Sequence, residues 1–252
     1  MTEDSVKNSK FKVCTTIVRL YLAIYTILNP KLKHVLFSSL LLVGVVFISC
    51  EKPPELPNTP SITFESVRFA TGPSGFDSLI VAVGFQDGNG DLGLQGSENN
   101  PPYQPLNFPK NAQGDFILFG DPEAPLEFHV CDFVTNFDVT GDEIMDTVYV
   151  EINPNSFNIE IDFFLKRDGV YDEFDWRREF GQFSCITFDG RYPPLNSEDF
   201  ERPLAGSLSY SMISSGFLPL FGNDTLQLRI QIKDRALNIS NIVESQDFVV
   251  GQ

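Results

Sequence analysis

From residue 61 onward, apolar and polar residues alternate with a period of two. The segments 62–69, 78–85, 126–131, 147–152, 157–165 and 226–232 each read as a strand with one packed and one wet face. Clusters of Gly, Pro, Asn and Asp separate them, and nothing beyond residue 50 sustains a helical stripe. The pattern predicts an all-β fold, an antiparallel sandwich in which each sheet buries one face. The chain has 24 phenylalanines, the natural filling for such a core, since each ring buries about 150–250 Å².

The N-terminal 60 residues follow other patterns. A basic stub, Lys31-Leu-Lys-His, leads into an apolar segment, 35–48, that ends in Phe47-Ile48-Ser49-Cys50. This arrangement resembles a bacterial lipoprotein signal. Ser49 is the small residue expected before the cysteine, Ile48 is acceptable, and Phe47 stands where Leu or Val is usual. The resemblance implies that Cys50 is lipidated on sulfur and becomes the first residue of the mature chain. The protein would then be extracytoplasmic and anchored by lipid to a membrane, the outer membrane on this reading, on either its periplasmic or its surface face. The apolar segment is 14 residues long, short of the roughly 20 that a permanent span needs; an uncleaved N-terminal anchor is the alternative. A second apolar patch, 15–28, is interrupted by Arg19 and ended by Asn29-Pro30. A leader needs no such preface, so translation is expected to begin at Leu32, and peptides from residues 1–30 in the precursor would contradict that.

Charge and proline content refine this organisation. The whole chain carries a net formal charge of −16, and residues 1–49 hold six of its 18 basic and two of its 34 acidic residues, so the rest carries −20. Nucleic acid is thereby excluded as a partner, because phosphate contacts demand a basic patch. Such acidity suits solubility outside the cytoplasm, and it leaves room for a divalent cation or a basic partner. Segment 51–60, with four prolines, cannot continue a helix or enter a sheet, and reads as an extended tether.

Two further segments carry a family resemblance. Phe85-Gln-Asp-Gly-Asn-Gly-Asp-Leu-Gly93, and the hairpin-like 225–245 containing Asp234-Arg-Ala-Leu-Asn-Ile-Ser-Asn241, resemble segments of immunoglobulin-like or fibronectin-type modules in lipoproteins of Bacteroidota. The resemblance implies an immunoglobulin-like sandwich and carries no activity with it, because such a sandwich is a scaffold. More than 130 residues separate the two segments. The expected organisation is therefore one elaborated domain, 61–252, with long insertions, or two sandwiches meeting near 190–205.

Within Asp87-Gly-Asn-Gly-Asp91, three oxygen-bearing side chains stand at alternate positions of a glycine-loosened loop. Asp87, Asn89 and Asp91 fit a hard cation such as Ca²⁺, with Glu98 closing the loop from its twelfth position. Leu92 stands where an EF-hand loop has its glycine, and a turn in which Asp and Asn satisfy backbone donors is the competing reading. The acidic stretch Asp168–Asp175 reads as a hairpin turn with solvated acids, with Arg177 and Arg178 available to cap it.

Once Cys50 is lipidated and Cys14 leaves with the leader, Cys131 and Cys185 remain, either as a disulfide or as two buried thiols. Beyond the leader, His129 is the only histidine. No nucleophile elbow or paired-histidine motif accompanies it, so no catalytic residue is assigned. Glu160-Ile-Asp162 resembles the acidic strand of laminarinase-like jelly rolls, but Leu165 replaces the third acid. Asp77-Ser78-Leu79, Asp146-Thr147-Val148 and Asp224-Thr225-Leu226 resemble the O-glycan acceptors of exported Bacteroidota proteins, which makes Ser78, Thr147 and Thr225 candidate modification sites. The function expected is a non-catalytic module that binds another cell-envelope component. A glycan-binding or glycosidase-like jelly roll is the alternative, favoured if Tyr103, Trp176 and Tyr192 line one groove.

Overall fold

The alternating segments fold as antiparallel strands in the computed structural model, which describes residues 56–72, 75–196 and 202–251. Cys50, the leader and most of the tether lie outside the described residues. In chain order the strands are β1 (Ser61–Ala70), β2 (Asp77–Asp87), β3 (Leu106–Asn107), β4 (Phe133–Phe137), β5 (Asp146–Tyr149), β6 (Glu151–Ile152), β7 (Ile159–Arg167), β8 (Val170–Glu173), β9 (Leu204–Ser214), β10 (Thr225–Ile232), β11 (Val243–Glu244) and β12 (Phe248–Val249). Two one-turn α-helices accompany them, α1 (Trp176–Phe180) and α2 (Phe217–Phe221), with a 3-10 turn at Pro154–Ser156.

Two sheets carry the architecture. One has the order β1-β2-β9; the other runs β11-β10-β7-β8, with β12 also paired to β10. Every pairing is antiparallel. Period two places Leu79, Val81 and Val83 of β2 inward, opposite Met212, Tyr210 and Leu208 of β9. In the second sheet the inward pairs are Leu226 with Leu165, Leu228 with Phe163, Ile230 with Ile161, and Ile232 with Ile159. Both sets belong to one buried cluster, with Tyr210 packed against it half-buried, so the sheets share a single core. Phe217 and Phe221 of α2 cap it, stacked on Phe163, and Trp176 meets the same Phe163 edge-on.

The chain between the halves of this core forms two small ribbons, β3-β6 and β4-β5. Ile117, Ala124 and Phe133 make a minor cluster there, with Phe128 and Tyr149 packed against it. Residues Glu55–Gln252 belong to one compact unit. β9, which begins at Leu204, pairs along β2.

Several elements differ from the sequence expectation. Segment 126–131 is irregular, and the strand follows at β4; Cys131 gives its N–H to His129 Nδ1 (3.1 Å) instead of to a ladder. Segment 147–152 breaks into β5 and β6 at Val150, whose N–H turns to Asp132 O at 2.7 Å. β9 had no counterpart among the expected strands. Only Leu208 and Met212 of its 11 residues are buried, and serines, Ala205 and Gly206 dilute its alternation. Asp168-Gly169, with φ of 51° and 83°, closes the β7–β8 hairpin between paired Arg167 and Val170. Two positive φ values suit the tight turn that antiparallel strand twist prefers.

Candidate metal centre

β2 delivers Asp87 to the interior because its alternate residues all point to the core, and the side chain has no exposed surface. The loop that follows is pinned closely. Gly88 N–H donates to Pro57 O (2.8 Å), and a Cβ at Gly88 would stand 2.2 Å from Leu56 O. Gly90 has φ of 66°, and a Cβ there would stand 2.2 Å from Arg202 O. Both positions therefore require glycine. Asp91 N–H donates back to Asp87 Oδ2 (3.1 Å), which turns the chain so that both carboxyls face one point.

The opposite wall comes from the end of the molecule. Arg235 N–H donates to Asp91 O (3.2 Å) and Ala236 N–H to Asp91 Oδ2 (3.2 Å), across 145 residues of sequence in the second case. Leu92 bridges to Asp234. Asn238 fixes the Asp234 carboxyl, its N–H donating to Oδ1 (2.7 Å) and its Nδ2 to Oδ2 (2.8 Å). One carboxylate oxygen each from Asp87, Asp91 and Asp234 consequently lies within 4.8 Å of the other two. Of the three side chains, Asp87 and Asp234 are buried and Asp91 is half-buried.

Asp87 Oδ1, Asn89 Oδ1 and Asp91 Oδ1 are all shut off from solvent, and none accepts a hydrogen bond. The Tyr192 hydroxyl, on a side chain 3% exposed, is likewise without a partner. Asn158 sets that ring in place by bonding both backbone groups of Tyr192. Burial pushes the Asp87 carboxyl up to about 6, with the charges of Asp91 and Asp234 adding to the effect. Asp91 is raised by burial and then by Asp234. The Tyr192 phenol is raised by burial and then by the charges of Asp87, Asp234 and Asp91. Carboxylates and an amide oxygen, without imidazole or thiol, form a donor set for a hard cation.

Glu98, expected as the fourth ligand, is held elsewhere. It takes a two-pronged ion pair from Arg235 (2.9 and 2.5 Å) and a backbone bond from Gln95 (2.6 Å), and the Arg235 bonds hold its carboxyl below the usual range. Asp234 stands in the cluster instead. The alternation within 87–91 pointed to the loop, whereas Asp234 lies in the C-terminal segment and joins it only through space.

The other candidate residues are placed as follows. Cys131 and Cys185 are joined by a disulfide. His129 is buried and receives the Cys131 N–H. Glu160 and Asp162 lie on the side of β7 away from the core, and Glu160 pairs with Lys233 at 3.2 Å. Arg177 pairs with Asp132 through both terminal guanidinium nitrogens and Arg178 with Glu179, so neither caps the β7–β8 turn; Asp175 caps α1 by accepting from Arg178 N–H. Trp176 and Tyr192 pack on or in the main core, and Tyr103 donates its hydroxyl to Arg235 O (2.5 Å). Ser78, Thr147 and Thr225 are half-buried at the starts of β2, β5 and β10. Among the described residues no helix is long and apolar enough to cross a membrane. Comparison with known protein families, with curated proteins and with solved structures finds no match for this chain.

Proposed function

We propose that the chain is a lipid-anchored, extracytoplasmic module of the bacterial cell envelope, immunoglobulin-like in arrangement, which binds another envelope protein and catalyses no reaction. The observation that carries this reading is the apolar surface around the Cys131–Cys185 bridge. Val130, Phe183 and Ile186 flank the two cysteines and are 37%, 76% and 39% exposed. Val130 N–H donates to Gln182 O (3.0 Å), so the two flanking segments lie side by side. Exposed apolar side chains gathered on a disulfide-fixed segment suit a protein partner, because a rigid apolar patch loses little entropy on docking. The net charge of −20 beyond residue 49 disfavours an anionic polysaccharide or lipid surface in that role. A disulfide agrees with an oxidising compartment and with Cys50 as the lipid-bearing residue.

Labelled palmitate fed to cells is expected to enter the wild-type chain and not Cys50→Ala, which leaves the membrane fraction. A photo-crosslinker at residue 183 is expected to capture one envelope protein reproducibly, and a Val130→Asp substitution is expected to remove that product. Labelling that persists in Cys50→Ala refutes the anchor. A crosslinker at 183 that reacts with nothing in intact cells refutes the binding surface.

A further inference from the structure

We propose that Asp87, Asn89, Asp91 and Asp234 bind one hard divalent cation of the Ca²⁺ kind, which ties the loop after β2 to the turn after β10. The acidic cluster alone does not carry this. Three carboxylates can share a fold if they hold a proton between them, and two of these sit in a medium that favours the neutral form. However, one shared proton supplies only one donor, and the enclosed acceptors without a partner include Asn89. Its amide oxygen is neutral, enclosed and without a donor, on the same short loop as the orphaned oxygens of Asp87 and Asp91. Enclosed acceptors are satisfied in native proteins with few exceptions, and three within five residues are best served by one centre that accepts all of them.

A second observation comes from outside the acidic cluster. Tyr192 is 3% exposed, its hydroxyl has no partner, and the charges of Asp87, Asp91 and Asp234 all reach it. A phenol there can donate to a ligand carboxylate or to a water on a cation. Two basic groups of the adjoining C-terminal turn are engaged elsewhere: Arg235 holds Glu98, and Lys233 holds Glu160 and Pro154 O.

The three carboxylates lie within 4.8 Å of one another, close enough to share one ion. An irregular all-oxygen set of carboxylates and an amide oxygen suits Ca²⁺, which tolerates flexible geometry, better than Mg²⁺, which demands a near-ideal octahedron and keeps its waters. Four protein side chains fall short of the six to eight oxygens that Ca²⁺ takes, and backbone carbonyls and water complete the shell.

The test uses the full chain in detergent, stripped with EDTA and titrated calorimetrically with CaCl₂ and with MgCl₂. One Ca²⁺ per chain is expected, with a Kd of about 1 mM or tighter, as in extracellular modules, and Mg²⁺ is expected to bind at least about tenfold more weakly. Asn89→Ala and Asp91→Asn should each weaken Ca²⁺ about tenfold or more, while Glu98→Gln should leave the affinity within about threefold. Asn89→Ala removes no hydrogen bond made by that side-chain oxygen, so its melting temperature in EDTA should match the wild type and the variant stays interpretable. No saturable Ca²⁺ binding up to about 10 mM overturns the proposal. So does binding that Asn89→Ala leaves intact, and equal affinity for Mg²⁺ overturns the Ca²⁺ assignment.

Discussion

The Asp87 carboxyl makes the stability of the metal-free protein fall as pH rises. Its ordinary value of 3.8 is raised to about 6 in the folded chain. Between those values the folded state binds more protons than the unfolded state, so the unfolding free energy decreases with pH. The stabilising contribution is complete below pH 3.8 and is lost as pH passes 6. The upward shift of roughly two units, at about 1.4 kcal/mol per unit, amounts to about 3 kcal/mol. Asp87 has no exposed surface, so solvent screening does not discount this figure. Glu98 and Asp247 are shifted downward and act in the opposite sense. The informative quantity is therefore the difference between wild type and Asp87→Asn. In an asparagine, Oδ1 can keep the bond from Asp91 N–H while Nδ2 faces the remaining acids.

Urea unfolding in EDTA at about pH 4 and pH 7 should show wild type losing about 2.4 kcal/mol relative to Asp87→Asn, since a little of the contribution is already lost at pH 4. For a domain of this size that corresponds to a relative drop in melting temperature of about 5–10 °C. At pH 7 the variant should be the more stable of the two in EDTA. Excess Ca²⁺ should erase the wild-type slope, because a bound divalent ion keeps the carboxylate ionised, and should do little for Asp87→Asn. A difference between the two proteins that stays flat with pH, or that grows in favour of wild type, refutes the electrostatic account of this cluster.

The remaining predictions concern the frame around the site. Phe163→Ala should cost about 3–5 kcal/mol by denaturant titration, because the ring is fully buried and contacts Trp176, Phe188, Phe217 and Phe221. Reducing the Cys131–Cys185 bridge, whose cysteines are 54 residues apart, should lower stability by about 4 kcal/mol on the chain-entropy account, read as a shift of the melting transition on adding reductant. Arg191 donates to the carbonyls of Gln95, Glu98, Tyr103 and Ser156. Arg191→Ala should therefore destabilise by about 2–4 kcal/mol and hasten proteolysis near residues 95–105.

The strands that alternate strongly were legible in the sequence, and those whose structure depends on a distant contact were not. β2, β7 and β10 bury an apolar residue at nearly every second position, so local pattern suffices. β9 pairs along the whole of β2 yet buries only Leu208 and Met212, and its strand character comes from its neighbour's ladder rather than from its own side chains. Segment 126–131 shows the reverse, with alternation present but the backbone drawn off by the disulfide and by His129.

The same distinction accounts for the residues of the proposed metal site. Reading Asp87, Asn89, Asp91 and Glu98 as one loop assumes that the chain curls back on itself within twelve residues. It does not, because Gly88 and Gly90 are held against Leu56 and Arg202, and because Arg235 draws Glu98 into an ion pair. The closing carboxylate must then come from elsewhere, and the Asp234–Asn238 turn supplies it already oriented.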